Sequence, residues 1–283
     1  MSRVSEVADQ RRAMSTIVNL TSVFEGLASM RIAQTKNQVL QSQAFFNELW
    51  QMYSQIRVDN LFRFGRTEAE EAVNKQLYIV VTAEGGFSGD IDQKLIAWML
   101  GQFDPEKQDI IVIGHHGALQ LIQQGVSFKK YFTLPTRDKN INVQPLIREV
   151  RRYKSTSVFY QTYVSLMVQD IKRIELNQAV QERGKQAGQA DEAISEATYI
   201  FEPSAFDVMA HLERTMMEIA LSQVILDSKL AQYASRFRAM SMANDKADEW
   251  YHDLTVDYNR TKRRTQDERL KEIINGLRTT KAT

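Results

Sequence analysis

The sequence predicts an α/β fold laid out as a long antiparallel coiled coil of N- and C-terminal helices with a small α/β domain inserted between them. Three observations predict it. All four prolines, Pro105, Pro135, Pro145 and Pro203, fall in the middle of the chain or just ahead of its last segment. Both ends run for long distances without a strong helix breaker and carry apolar residues in alternating steps of three and four. The middle switches to short β-branched runs separated by glycine-bearing turns.

The first element follows from the stretch between about Val7 and Phe64, where Gly26 is the only interruption. It predicts a helix on the order of 80 Å long. Ile17, Leu20, Phe24 and Leu27 make a first stripe along it, followed by Ile32, Thr35, Val39, Ser42, Phe46, Leu49, Tyr53 and Ile56. The shift between the two stripes is small enough for an imperfect supercoil to absorb.

At the other end, the 72 residues from Ser204 to Asn275 contain neither Gly nor Pro. A continuous helix there approaches roughly 108 Å, longer than a compact domain. Leu230, Tyr233, Phe237, Met240, Asn244, Ala247, Tyr251, Leu254, Tyr258 and Thr261 form its seam. Each stripe is too long to be buried against a small middle domain, so the two helices are expected to pair. The competing reading is an ordinary helical bundle with hidden breaks. Expected bounds are 1–66 and 204–276 for the helices and 75–200 for the central domain.

The middle reads as βαβ units. Gln76 to Thr82 is a β-branched strand, Glu84 to Gly89 a glycine-rich turn, and Asp90 to Phe103 a helix. A second strand spans Asp109 to Gly114, and a short helix beginning at His115 closes near Gly125. Lys129 to Leu134 is expected as a third strand and Val143 to Lys154 as a helix. Later strands are expected at Ser157 to Leu166 and Lys172 to Leu176, then a Gly/Gln-rich loop from Gly184 to Ala190.

Composition excludes several chemistries. Lys and Arg number 36 against 35 Asp and Glu, which gives no general electrostatic reason for a nucleic-acid partner. Cysteine is absent, so disulfides, thiolate zinc sites and a cysteine nucleophile are excluded. No uncharged run approaches the roughly 20 apolar residues of a membrane span. No secretory leader is expected either, because the N-terminal Met1 to Arg12 stretch is not followed by an apolar run.

Candidate catalytic groups lack partners. The loop Glu84, Gly85, Gly86, Phe87, Ser88, Gly89 follows a strand but misses both the GxGxxG spacing and the GK[ST] ending, and Glu84 and Asp90 oppose a phosphate. His115 and His116 are consecutive, do not share a helix face, and have no HExxH companion. Ser88 and Ser204 lack the GxSxG setting and an identifiable base. Arg260, Lys262, Arg263 and Arg264 lie near Asp267, Glu268 and Glu272, with Arg263/Asp267 and Arg264/Glu268 at pairing distance along a helix. That arrangement suits a solvated or partner-facing helix. Met14, Met30, Met240 and Met242 can add to an adaptable contact surface.

The segment Ala231 to Arg264 resembles the gamma subunit of F-type ATP synthases. The family's Ala-Arg-Met-x-Ala-Met core, its Asp and Ala, and its Leu-x-x-x-Tyr-Asn-basic pattern fall on Ser235, Arg236, Phe237, Ala239, Met240, Asp245, Ala247, Leu254, Tyr258, Asn259 and Arg260. Glu202, Pro203 and Ser204 resemble its Glu-Pro-Ser approach to the last helix. The N-terminal stretch from Leu20 to Gln34 is similar to the family's first motif, with Ser22, Glu25 and Arg31 in place of lysines and Gly26 in place of an apolar residue. In the strand-end turn Gly85 and Gly89 are retained, Glu84 stands at the arginine place and Asp92 at the asparagine place, and the usual cysteine is missing. Lys262, Arg263, Gln266, Asp267, Glu268 and Arg269 replace the family's Arg-Gln-x-x-Ile-Thr-Gln-Glu element, which marks a divergent member.

The resemblance implies a rotating shaft that couples ion flow through a membrane ring to ATP synthesis or hydrolysis in an alpha/beta hexamer. It implies partners in the alpha and beta subunits, an epsilon-like subunit and the membrane c-ring. No cofactor is expected in this chain; Mg-ATP and ADP belong to the partners. Attachment to an energy-transducing membrane would be peripheral, through the complex. Arg236, Arg238 and Met240 are expected near moving catalytic-subunit elements, and Arg260, Lys262, Arg263 and Arg264 higher in the shaft. The alternatives are a coiled-coil scaffold or regulator of an unrelated assembly and, more remotely, a nucleotide-binding enzyme using the glycine-rich loop.

Overall fold

The computed structural model describes residues 3–55, 73–134, 141–187, 202 and 204–280. They form α1 (Arg3–Gln55), β1 (Val73–Val81), α2 (Ile91–Leu100), β2 (Gln108–Ile113), α3 (His115–Gln123), β3 (Lys130–Phe132), α4 (Gln144–Val150), β4 (Tyr153–Tyr163), β5 (Gln169–Glu175), α5 (Leu176–Ala187) and α6 (Ala205–Thr280). Long terminal helices with an inserted sheet-and-helix region are thus the architecture. The chain divides into two compact units, Ser29–Arg236 and the combination of Met1–Ala28 with Phe237–Thr283.

In the Ser29–Arg236 unit the strands order as β3-β2-β1-β4-β5. The first four are parallel and β5 is antiparallel to β4. Parallel strands covered on both faces read as unbroken apolar runs, and Leu77 to Val81 of β1 are all buried. One face packs Tyr78, Val80, Ile110, Val112 and Phe159 against Leu95, Ile96 and Met99 of α2 and Ala118 and Leu121 of α3. The other face packs Leu77, Ile79, Val81, Ile111 and Val158 against α4, against Phe46 and Leu49 of α1, and against Met216, Ala220, Leu221, Val224 and Ile225 of α6. Each large aliphatic side chain buried there stabilises by about 1.5–3 kcal/mol relative to exposure.

Several boundaries differ from expectation. The expected third strand reduces to Lys130–Phe132. The helix expected from Val143 to Lys154 stops at Val150, because β4 begins at Tyr153 to pair with β1 from Val73 onward. The sheet ladder overrides local helix preference. The two later strands become Tyr153–Tyr163 and Gln169–Glu175, joined by a turn in which Val164 and Ser165 donate to the Val168 carbonyl. The loop expected from Gly184 is helical through Ala187, while 188–190 lie outside the described residues. Leu176 and Val180, 1% and 0% exposed, anchor that helix to the core. Their burial offsets the cost of Gly184, about 1 kcal/mol.

In the other unit, α1 and α6 pair antiparallel. The Arg11 guanidinium lies 4.5 Å from the Tyr258 ring centre, and Thr21 Oγ1 donates to Asn244 Oδ1 at 2.8 Å. The α6 seam from Met240 through Asn244, Ala247, Tyr251, Leu254 and Tyr258 to Thr261 is buried or half-buried at every position. The first α1 stripe is a correction: Ile17, Leu20, Phe24 and Leu27 are 44, 52, 37 and 46% exposed. Val18, Thr21, Glu25 and Ala28 turn inward instead. They extend the Ile32, Thr35, Val39, Ser42, Phe46, Leu49, Tyr53 register without a shift; Ile56 lies outside the described residues. The misreading has a physical cause. The seam holds small and polar residues here, while larger apolar ones occupy the outer face.

Candidate functional site

In the sheet order observed, the chain passes from β1 to its neighbour β2 and from β4 to its neighbour β5, in opposite directions across the sheet, so a crevice opens at the carboxyl ends of β1 and β4. Open α/β sheets bind ligands at such a point. Here it is filled by side chains of α6. Asp92, at the start of α2 and 2% exposed, is the hub. Its carboxylate accepts from the Ala83 backbone N–H at 3.3 Å, from Gln161 Nε2 at 2.7 Å and, across 3.2 Å, faces His116 Nδ1. Gln161 Oε1 in turn accepts from Ser228 Oγ and from Gln232 Nε2, both on α6.

The glycine-rich loop presents carbonyl oxygens to the same helix. Ser235 Oγ donates to the Ser88 carbonyl at 2.6 Å, and Arg236 donates to the carbonyls of Gly86 at 3.0 Å and Gly85 at 3.2 Å. A phosphate cradle needs the opposite polarity, with N–H groups facing inward. The loop is therefore the strand-to-helix turn that its spacing suggested. Close approach explains two other glycines. A Cβ at Gly114, whose φ is +100°, falls 2.1 Å from the Thr82 carbonyl oxygen, and one at Gly117 falls 2.6 Å from Thr82 Oγ1. Thr82 Oγ1 accepts from the Gly117 N–H at 3.0 Å, seating α3 on the end of β1.

Electrostatics follows from this geometry. The hydrogen bond to Asp92 raises the His116 pKa above 6.5, against the opposing effects of burial and Arg236. Burial lowers the Arg236 pKa. Glu84 Oε1 accepts from the Leu134 N–H, so the loop's acid is also committed internally.

Other candidate residues resolve one by one. His115 is exposed at the start of α3 while His116 turns to Asp92, and no cluster of metal-ligating side chains occurs among the described residues. Ser204 caps α6: its Oγ accepts from the Asp207 N–H at 3.1 Å and donates to Asp207 Oδ2 at 2.6 Å. Ser88 is buried and its hydroxyl has no partner. Met240, 7% exposed, lies in the α6 seam and Arg238 is half-buried. Arg260, Lys262, Arg263 and Arg264 are exposed, and Arg264 pairs with Glu268 at 3.1 Å. The companion Arg263/Asp267 pair is not formed. Sequence reasoning missed Gln161, Ser228 and Gln232 entirely.

The family model described as ATP synthase matches residues 3–279. The chain belongs to the ATP synthase gamma-chain family. The gamma chain of Clostridium novyi is 22% identical over 284 residues, covering 95% of this chain and 96% of its own length. That of Enterococcus hirae is 29% identical over 217 residues, covering 72% of this chain and 70% of its own. Among solved structures, a chain of the Euglena gracilis mitochondrial ATP synthase OSCP/F1/c-ring assembly superposes with a TM-score of 0.64 at 12% identity, covering 98% of this chain and 95% of its own. A chain of the rotor of the same enzyme gives 0.59 at 14% identity, covering 92% and 99%. The gamma-chain fold, terminal helices around an α/β insert, is what these likenesses share with it.

Proposed function

We propose that this chain is the central rotating stalk of an F-type ATP synthase or ATPase, transmitting torque between a membrane ion-translocating ring and an alpha/beta catalytic hexamer. The observation that carries the reading is a gamma-chain match over nearly the whole length, 3–279. The physical account is compatible with it. Paired long helices resist bending. The crevice at the carboxyl ends of β1 and β4 is closed by the chain's own helix, and on this reading nucleotide chemistry belongs to the partner subunits. Alpha and beta subunits, an epsilon-like subunit and the c-ring are the partners on this reading. No described helix is long and apolar enough to cross a membrane, and attachment to the membrane runs through the complex.

Partner contact falls to exposed Arg260, Lys262, Arg263 and Arg264. Arg236 acts through the Glu84–Gly89 loop it holds, Met240 through the spacing of the seam it fills, and Arg238 from a half-buried position beside them. The deciding experiment reconstitutes the chain with its native alpha and beta partners and measures rotation and ATP turnover with and without it. Directional rotation that depends on the chain is the expected result. Turnover in a stable complex without rotation would instead indicate a scaffold or regulator. Arg236→Glu should uncouple turnover from rotation, since a carboxylate would face the Gly85 and Gly86 carbonyls; unchanged coupling removes Arg236 from the mechanism.

A further inference from the structure

On the sheet face away from α2 and α3, a cavity of about 570 Å³ lies between the corner joining α4 to β4, the start of α5 and the early turns of α6. That volume is in the range of small-molecule sites. Its rim is basic: Arg148, Arg151, Lys154 and Arg214 line it, are exposed, and make no ion pair among the described residues. Arg152, also on the rim, approaches Glu149 at 3.7 Å. Glu213 and Glu218 line the α6 side and oppose an anion. Glu213 Oε1 is already engaged by the Tyr53 hydroxyl at 3.1 Å. Four free cations against two acids leave a positive surplus.

A second observation is independent of charge. Thr156, on β4 at the cavity, is 4% exposed, and its Oγ1 has no hydrogen-bond partner. Leaving a buried hydroxyl unsatisfied costs about 1–3 kcal/mol, so such a group calls for an acceptor. The C-terminus of α4 accounts for one or two nearby cations. It does not account for Arg214, which arrives from α6, nor for the unpartnered hydroxyl.

We propose that this cavity binds a phosphate group, with the guanidinium groups of Arg148, Arg151 and Arg214 and the ammonium of Lys154 neutralising it and the Thr156 hydroxyl donating to one of its oxygens. Arginine's planar fork matches phosphate geometry, and a doubly charged group suits this number of donors. The site goes beyond the stalk function and does not depend on it. The group can be presented by a soluble phosphate compound or by a phospholipid headgroup.

The test titrates the full-length chain with pyrophosphate, read by ³¹P line broadening, and in parallel floats it with vesicles of phosphatidylcholine alone or containing about one-third phosphatidylglycerol. Saturable pyrophosphate binding identifies a soluble ligand; flotation only with anionic vesicles identifies a headgroup. Either is expected to weaken at least tenfold, about 1.4 kcal/mol, in Arg148→Glu/Arg214→Glu. Thr156→Val, nearly isosteric, is expected to weaken it about threefold to tenfold. Circular dichroism melts check that the variants fold, and Arg151→Gln is the substitute if the double variant does not. No binding in either arm overturns the proposal, as does binding indifferent to the charge variants or undiminished in Thr156→Val, which would mark general surface attraction.

Discussion

Helix α6 is used in two different ways along its length, and the contrast explains how one helix serves two purposes. Where it backs the sheet, Met216, Ala220, Leu221, Val224 and Ile225 are no more than 2% exposed and join a core shared with β1, β2 and β4. Where it pairs with α1, its seam carries Asn244, Tyr251, Tyr258 and Thr261, all half-buried, with Thr21 meeting Asn244 and the Arg11 guanidinium meeting Tyr258. Three-layer burial supplies stability in the first region. In the second, two helices alone bury too little apolar surface to do so, and helix propensity, length and polar cross-contacts carry more of the load. Anchorage and shaft are thus built from opposite kinds of packing on the same continuous element.

The contrast is open to measurement. The largest effect is expected from Leu221→Ala, which should cost about 2–5 kcal/mol through lost burial and a cavity, measured by urea unfolding of the whole chain. A loss below about 1 kcal/mol would mean that α6 is not the sheet's cover. Next, Gln161→Leu removes the acceptor for Ser228 and Gln232 and a donor to Asp92. Stranding these buried groups should cost about 1–3 kcal/mol, and a neutral result would show that the network adds nothing to the anchorage.

A smaller and pH-dependent effect belongs to His116. Its pKa is raised above 6.5, chiefly by the hydrogen bond to Asp92. The stabilisation is therefore fully present below the unfolded value and is lost as pH rises through the folded one. His116→Gln should lower the melting temperature more at about pH 6 than at about pH 9. The same decrement at both would sink the assignment. The smallest effect is expected from Leu20→Ala, about 0.5 kcal/mol or less in the isolated chain, because Leu20 is 52% exposed. A cost approaching that of Leu221→Ala would break the comparison and place the outer stripe in a seam after all.

Much of this was readable beforehand, and the failures are instructive. The β-branched run of β1 and the proline-free C-terminal stretch announced themselves because burial on both faces and a 3.5-residue repeat leave local patterns. The α6 seam was legible residue by residue from Leu230 to Thr261. The α1 seam was legible from Ile32 to Tyr53 but not before it, since Ile17, Leu20, Phe24 and Leu27 are better hydrophobes than Val18, Thr21, Glu25 and Ala28, and hydrophobic periodicity follows the better hydrophobes. The polar network had no local signal at all. Asp92 meets residues 24 and 69 positions away, and Gln161 meets Ser228 across 67. Only the topology of the sheet brings them to one crevice. Resemblance pointed to Asp92 as a family position without saying what it touches.

The filled crevice also bears on how the molecule can be recombined with its relatives. By chain order the sheet region looks like a cassette that could be cut out between two helices and exchanged. Its mouth, however, is closed by Ser228, Gln232, Ser235 and Arg236, which lie on the helix that follows. A chimaera that imports a foreign insert while keeping this α6 inherits donors without matched acceptors. A workable exchange carries the insert and the α6 stretch from Met216 to Arg236 together, as one heritable block.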